Sequence, residues 1–135
     1  MLETTTTPAQ LLGFTLGAER FGLPLDRVRG VFRAGGVSRV PGGPAFLVGL
    51  VNCQGKILPV FDAGAITGRR RPPDAPADHV VVVREEELIF GLSVDSICGI
   101  EEVSREEWGR QEVRVGDVVW RVVDVTGLVE RIRAR

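Results

Sequence analysis

The chain has 135 residues, an apolar fraction of 44% and a formal net charge of −1. This length suits one domain with its own hydrophobic core, and no apolar run approaches the ~20 residues that a membrane-spanning helix requires. A nearly neutral chain has no overall positive field to attract nucleic acid or anionic lipid. The composition therefore favours a soluble globular protein whose partners are other proteins.

The first ten residues contain no basic stretch followed by an apolar one, so we expect a flexible tail rather than a secretion signal. We therefore expect a cytoplasmic protein with a single domain over residues 11–135. Cys53 and Cys98 lack the C-x-x-C spacing of a redox or metal site. We expect both to be buried free thiols.

Short runs of alternating apolar and polar residues predict a mainly β fold with little helix. Residues 11–16 and 20–25 predict an opening hairpin, and residues 27–32 a third strand with a bend or bulge at Gly30. A loop rich in glycine and proline follows over residues 34–46.

The most apolar tract, residues 46–62, predicts a second hairpin with its turn at residues 52–56. Pro59 lacks a backbone N–H, so this arm should lie at a sheet edge or carry a bulge. Residues 68–78, which include three consecutive arginines, predict an exposed loop between two halves of the chain.

The second half begins with a hairpin over residues 79–95, with a charged turn at residues 85–87. Residues 104–107 have the spacing of a capping box and predict a short helical turn through Trp108. A strand is expected over residues 117–125. A C-terminal helix should follow, with one apolar face formed by Leu128, Val129 and Ile132.

Two sequence motifs occur twice in the same order. FGLPLDRVRGV (residues 21–31) is echoed by FGLSVDSICGI (residues 90–100) at an offset of 69, and ILPVFDA (residues 57–63) by VWRVVDV (residues 119–125) at an offset of 62. This repetition predicts two related halves, each a small twisted sheet or barrel. Between the aspartates of the two motifs the halves span 36 residues (62 minus 26) and 29 residues (124 minus 95), so the second half is shortened by about seven.

Few residues suit catalysis, since the chain has one histidine, His79, and no tyrosine. Cys53 and His79 could form a nucleophile and base, but no third residue is placed to orient them. Asp26 and Asp95 could form a two-carboxylate site, although a turn cap at each is the simpler interpretation. We expect no enzymatic activity, no cofactor and no metal site.

An alternative function is nucleic-acid binding by a small β-barrel, through aromatic side chains beside basic ones. Trp108 and Trp120 lie near Arg110 and Arg121 in the sequence, and the arginines of the loop at residues 68–78 would add to such a surface. Low aromatic content and negative net charge favour core or partner contacts for these tryptophans.

From Leu11 to Val129 the chain resembles the CheW-like family, the adaptor domain of bacterial chemosensory arrays. The most specific segment is VPGGPAFLVGLVNCQGKILPVFD (residues 40–62), which is similar to the family pattern of a proline, a short apolar step and then G-x-x-N-x-R-G-x-x-x-P-V-x-D. The resemblance implies a mainly β fold of two five-stranded SH3-like barrels that share an apolar core, with short helical turns and a C-terminal helix. It also implies an adaptor in motility signalling that couples a chemoreceptor's cytoplasmic tip to the regulatory domain of a CheA-type histidine kinase, without inserting into the membrane or binding nucleic acid.

The resemblance also implies a set of partner-binding positions: Val28, Gly30, Asn52, Gln54, Gly55, Val94, Asp95 and Ile97. For the apolar members a plain core role is an equal alternative. Gln54 replaces the family's arginine and Gly30 an acidic residue, which removes charges from the contact region. With the shortened second half, these departures suggest a specialised adaptor that engages one of the two usual partners.

Overall fold

The computed structural model describes residues 9–33, 47–64, 79–103 and 112–133. The predicted loops at residues 34–46 and 68–78 and the predicted turn at residues 104–108 lie outside these ranges.

The described residues form ten strands, a 3-10 turn (Leu25–Arg27) and a C-terminal helix. The strands and helix are β1 (Ala9–Leu16), β2 (Glu19–Pro24), β3 (Val28–Arg33), β4 (Leu47–Cys53), β5 (Lys56–Asp62), β6 (His79–Glu85), β7 (Leu88–Val94), β8 (Ser96–Val103), β9 (Glu112–Val115), β10 (Val118–Val122) and α1 (Val125–Arg133). The mainly β fold and the predicted hairpins are confirmed. The sequence pattern missed β9, because four residues are too few to show alternation.

The strands form two five-stranded sheets, in the orders β8-β1-β2-β10-β9 (sheet 1) and β3-β6-β7-β5-β4 (sheet 2). Each sheet combines the opening hairpin of one half of the sequence with three strands from the other half. The expectation that each half forms its own sheet is therefore wrong. The two halves exchange strands, and two pairs join them in each sheet. One is antiparallel, β1 with β8 or β3 with β6, and the other is parallel, β2 with β10 or β5 with β7.

The repeated phrase is the segment at which the chain crosses between the sheets. Its first copy leaves β2 in sheet 1, makes the 3-10 turn and enters β3 in sheet 2. The second copy makes the reverse crossing, from β7 in sheet 2 through Asp95 to β8 in sheet 1. The sequence repeats because the fold needs this crossing twice.

A β-bulge follows each crossing. The pairing of β3 with β6 shifts register between Val28 and Gly30, as predicted at Gly30. In β8, Gly99 pairs with Gly13 and Ile97 with Phe14, which leaves Cys98 as the extra residue. Cys98 is therefore exposed and Cys53 only half-buried, so the expectation of two buried thiols is wrong.

Three clusters of apolar side chains make up the described core. One fills barrel 1, the curved sheet 1, around Leu11, Val103 and Val113. Another fills barrel 2, the curved sheet 2, around Val51, Val60 and Val80. The third and largest lies between the barrels and contains the side chains Leu12, Phe14, Leu16, Phe21, Leu23, Phe61, Ala63, Val81, Val83, Phe90, Leu92, Val94, Val123, Val125, Leu128 and Val129.

Helix α1 closes one side of this shared core. Leu128 and Val129 are buried in it and Ile132 packs against it, as the sequence predicted. No helix among the described residues is long and apolar enough to cross a membrane.

Pro59 lies in a different setting from the one predicted. Strand β5 is an interior strand, paired with β4 and β7, and its register shift falls between Leu47 and Gly49 of β4 rather than at Pro59. The pairing of β5 with β7 begins only at Val60. At Pro59, β5 therefore has no ladder on the β7 side, which is how an interior strand accommodates a residue without an N–H.

Candidate functional site

The outer face of the β4–β5 hairpin exposes two large apolar side chains, Leu50 and Ile57. Val51, Leu58 and Val60 point into barrel 2, so alternation along the strands turns Leu50, Asn52, Ile57 and Pro59 outward. These four residues form two cross-strand pairs, Leu50 with Pro59 and Asn52 with Ile57. Ile57 is 61% exposed and Leu50 38%. We call these four residues the β4–β5 face.

The hairpin turn beside this face places three of the predicted site residues together. Gln54 and Gly55 both have positive φ, 51° and 85°, as a two-residue hairpin turn of type I′ requires. The Gly55 N–H donates to Oδ1 of Asn52 at 3.0 Å, which fixes the turn. Gln54 pays a conformational cost in this region that glycine would not. Its side chain is exposed at the tip of the hairpin.

The β9–β10 hairpin of barrel 1 carries the equivalent face, with different residues. The offset of 62 places Val119 at the position of Ile57 and Arg121 at that of Pro59. Their cross-strand partners are Arg114 and Glu112. We call these four residues the β9–β10 face.

The arginine of the β9–β10 face forms ion pairs with one glutamate of the face and one of β2. Nε of Arg121 lies 3.3 Å from Oε2 of Glu19 and 3.8 Å from Oε2 of Glu112. These groups are about half-exposed, so each ion pair contributes little to stability. The pairs nevertheless cover the surface with polar groups, whereas the β4–β5 face has none at the matching Pro59.

Two more predicted positions, Val28 and Gly30, lie on β3, at the opposite edge of sheet 2 from β4. Val28 is half-buried and packs against the shared core. A Cβ atom at Gly30 would meet no atom within 4 Å. The backbone here therefore tolerates the acidic side chain that the family pattern has at Gly30.

The predicted positions of the second half lie at the other crossing. Val94 is 1% exposed within the shared core, so in this structure it offers no surface to a partner. Ile97 is half-buried against the same core. The alternative of a plain core role therefore applies to the whole side chain of Val94 and to the buried part of Ile97.

Asp95 performs the turn-capping role that its sequence suggested. Its Oδ2 accepts a hydrogen bond of 2.6 Å from the Gly17 N–H, and its own N–H donates to the Thr15 carbonyl at 3.0 Å. The turn it caps is that of the β1–β2 hairpin, 78 residues away in sequence. Asp26, the equivalent aspartate, is exposed and makes no such bond with the described residues.

The two crossings are thus held by different interactions. Beside Asp95, the hydroxyls of Thr15 and Ser96 lie 2.6 Å apart. At the first crossing, Nε of Arg27 lies 3.0 Å from Oε1 of the buried Glu85, although Oε1 receives no hydrogen bond of regular geometry. The Thr126 hydroxyl donates to Oε2 of Glu85 at 2.9 Å, which links this crossing to α1.

The candidate catalytic groups are far apart. Cys53 pairs with Lys56 at one end of sheet 2, whereas His79 pairs with Val94 at the other end, a separation of order 20 Å along the strands. Asp26 follows the end of β2 that pairs with Leu11, and Asp95 binds the other end of β1. Neither pair forms a site, and no cluster of metal-ligating side chains occurs in the part of the chain that the structure describes.

The structure argues against nucleic-acid binding through Trp120, the tryptophan of that alternative that lies in the described ranges. Trp120 is 5% exposed and packs on Gly13, with the Arg20 guanidinium 5.6 Å from the ring centroid. A base could not stack on this ring without opening barrel 1. Trp108 and the three arginines of residues 69–71 lie outside the described ranges.

Sequence reasoning missed Leu50 and Ile57 as surface residues. Both occur in the most apolar tract, where nearly every position looks buried. The detectable signal was alternation within that tract, because every second residue of a hairpin must face outward.

Comparison with known proteins identifies the family. The CheW-like domain model matches residues 10–132. The probable chemotaxis protein CheW of Rhizobium etli is 31% identical over 98 residues, which cover 72% of this chain and 63% of that protein. Protein PilI of Pseudomonas aeruginosa is 26% identical over 74% of this chain and 56% of its own length.

A solved structure agrees in fold. The scaffolding protein TtCheW of Thermoanaerobacter tengcongensis superimposes with a TM-score of 0.80, covering 92% of this chain and 94% of that one at 20% identity. The two-barrel architecture is therefore that of a CheW structure. The chain belongs to the CheW-like domain family, and it spans about three fifths of the length of the curated relatives named above.

Proposed function

We propose that this chain is a cytoplasmic, non-enzymatic adaptor of a chemosensory pathway. In this proposal it couples the cytoplasmic tip of a chemoreceptor to the regulatory domain of a CheA-type histidine kinase. Family membership and the chemotaxis names of its relatives support the pathway. The separation of Cys53 from His79 supports a role without catalysis.

The observation that carries the proposal is the β4–β5 face. An exposed isoleucine and leucine beside a rigid turn provide apolar area that a protein partner can bury. The face belongs to the segment that carries the family's most specific motif. We propose Asn52, Gln54 and Gly55 as its rim and Leu50 and Ile57 as its apolar centre.

We further propose that the adaptor engages one of the two usual partners more strongly. Gln54 lacks the cation of the family pattern and Gly30 lacks the anion, so an oppositely charged group on a partner would lose its pairing. The β9–β10 face has one exposed apolar side chain, Val119, beside charged residues, so it offers less apolar area for a second docking contact. Val28 and Ile97 contribute through their exposed parts, and Asp95 holds in place the crossing that leads to Ile97.

Calorimetric titration tests this proposal with two purified partners from the same organism, a chemoreceptor tip and the kinase regulatory domain. We expect the wild type to bind one of them and Gln54→Arg to restore binding to the other. Gln54→Gly is the matched control, because it relieves the positive φ and removes the side chain. This variant should be at least as stable as wild type and should bind no additional partner.

Binding of both partners by the wild type would leave the adaptor function standing and remove the specialisation. If neither the wild type nor Gln54→Arg binds either partner while both remain folded, the proposed function itself is contradicted.

A further inference from the structure

Strand β4 is an edge strand that lacks the charges of the other three edge strands. It ends sheet 2, and among the described residues it pairs only with β5. Charged residues and very short strands keep natural sheet edges from adding a further strand. Strands β3, β8 and β9 each carry two charged residues, and β9 has only four residues in all. Strand β4, with the sequence LVGLVNC, carries no charge.

The bulge of β4 leaves a regular segment of five residues. The register with β5 shifts between Leu47 and Gly49, so Val48 is the extra residue. Residues 49–53 each have one partner on β5. This segment is centred on Val51, and it has the geometry that a further strand requires.

Two residues of this segment direct their backbone groups away from β5. In a hairpin with a two-residue turn, the residues that flank the turn, here Cys53 and Lys56, form a hydrogen-bonded pair. Hydrogen-bonded and non-hydrogen-bonded pairs alternate along the ladder, so Leu50 and Asn52 fall in non-hydrogen-bonded pairs. The N–H and C=O groups of these two residues therefore point to the open side of β4.

These four backbone groups are arranged symmetrically about Val51. If a second β4 strand lies antiparallel with Val51 opposite Val51, Leu50 of each copy lies opposite Asn52 of the other, and all four groups form hydrogen bonds. A pairing centred on Leu50 would instead place Asn52 opposite the bulge residue Val48. No like charges meet in either pairing, because β4 has none. A second copy of β4 can therefore satisfy the whole open edge.

We propose that two copies of this chain form a symmetric dimer by antiparallel pairing of their β4 strands at residues 49–53. The contact is isologous, so it closes at two copies. It joins sheet 2 to sheet 2 and places Leu50 and Ile57 of both copies on one continuous outer face. Two strands of five residues bury less area than a standard interface, so the dimer is weak and forms at high protein concentration. This inference goes beyond the proposed coupling function and does not depend on it.

Two lysine variants of exposed residues test the contact by sedimentation velocity over a range of concentrations. In a dimer of Leu50→Lys, the two new side chains stand at diagonal positions about 7–8 Å apart and repel each other. Ile57→Lys is the matched control on the interior strand β5, where the two lysines start three strand spacings apart, about 14 Å, and are largely screened. We expect Leu50→Lys to weaken dimerisation about fivefold or more, and Ile57→Lys by less than about twofold.

Hydrogen exchange at single amides tests the register. The N–H groups of Leu50 and Asn52 should exchange more slowly as the concentration of the wild type rises. Those of Val51 and Cys53 should not respond, because they already bond to β5. In Leu50→Lys the dependence on concentration should be reduced, while circular dichroism shows that the fold is kept.

A wild type that stays monomeric at all concentrations would overturn the proposal. Slow exchange at Leu50 and Asn52 that does not change with concentration would also overturn it, because β4 would then be covered within one chain. Equal weakening by Leu50→Lys and Ile57→Lys would contradict edge pairing and indicate a contact between outer faces. These measurements use the chain alone, so their failure is distinct from a failure to bind a chemoreceptor tip or a kinase domain.

Discussion

The two barrels share one topology but differ in how their equivalent positions are filled. Barrel 2 presents the apolar β4–β5 face, whereas barrel 1 presents the charged β9–β10 face with Arg121 between two glutamates. A repeat thus keeps the residues that the crossing and the shared core require, and varies those at the surface. The difference gives a single chain two unlike outer faces on one scaffold.

The interiors of the two barrels are also filled by different residues at equivalent positions. In barrel 1 the large Trp120 packs on Gly13, and a Cβ atom at Gly13 would lie 2.2 Å from the indole ring. In barrel 2 the equivalent positions are Leu58 and Val82, both part of its core. One barrel uses a large and a small residue where the other uses two of middle size. The two pairs thus fill a similar total volume, although neither residue is the same in the two barrels.

The largest effect is expected from disturbing that pair. Gly13→Val should lower the free energy of unfolding by about 3 kcal/mol, because the rigid indole has no room for the new side chain. Trp120→Leu in the same chain recreates the barrel 2 pair and should recover about 1–3 kcal/mol relative to the sum of the single changes. Urea denaturation of the four proteins measures this coupling. Strict additivity would show that the two positions are not a packing unit.

The two outer faces should respond differently to the same charge. Ile57→Lys should weaken binding to the proposed partner by about 2 kcal/mol, roughly 30-fold, because it places an ammonium group in the apolar centre of the contact. Val119→Lys, at the equivalent position, should change affinity little. Titration calorimetry with the partner that the wild type binds measures both. Equal losses would remove the distinction between the faces.

The equivalent glycines of the repeated phrase should also differ. A Cβ atom at Gly91 would lie 2.7 Å from Cγ1 of Val80, whereas one at Gly22 would lie 2.9 Å from Cδ1 of Leu11. Valine is stiff at χ1, while the end of a leucine side chain moves more easily. Gly91→Ala should therefore cost about 2 kcal/mol and Gly22→Ala less.

Thermal denaturation with Gly30→Ala as control checks this order, since Gly30 has open space around its Cα. A smaller loss for Gly91→Ala than for Gly22→Ala would contradict the explanation from side-chain stiffness.

The smallest effects are expected at Asp26 and Asp95, the aspartates of the two crossings. Asp95→Ala should cost about 1 kcal/mol, because the Gly17 N–H loses its acceptor in the β1–β2 turn. Asp26→Ala should change stability by no more than about 0.5 kcal/mol, since Asp26 is exposed without a described partner. Chemical denaturation of the two variants gives the comparison, and equal losses would show that Asp26 also supports its crossing.

The sequence predicted those features that depend on local patterns. Alternation located the β1–β2, β4–β5 and β6–β7 hairpins, and Gly30 indicated the bulge. The 3.6-residue periodicity of Leu128, Val129 and Ile132 indicated the C-terminal helix. Each signal is contained within a few neighbouring residues, so no knowledge of the rest of the chain was needed.

The features that could not be predicted depend on distant pairs. The exchange of strands between sheets rests on β1 pairing with β8, β2 with β10, β3 with β6 and β5 with β7, and none of these choices is encoded locally. Asp95 was recognisable as a cap, but its partner at Gly17 was not. The burial of Val94 likewise follows from the packing of the two barrels, which is why the resemblance alone left its role open.

Hydrogen exchange on adding the kinase regulatory domain, and separately the chemoreceptor tip, most directly tests the proposal that the β4–β5 face, and not the β9–β10 face, is the docking site. The partner that binds should slow exchange in β4, β5 and the turn at Gln54 and Gly55, and should leave β9 and β10 unchanged. Slower exchange in β9 and β10 with none in β4 and β5 would contradict the assignment of the apolar face as the docking site.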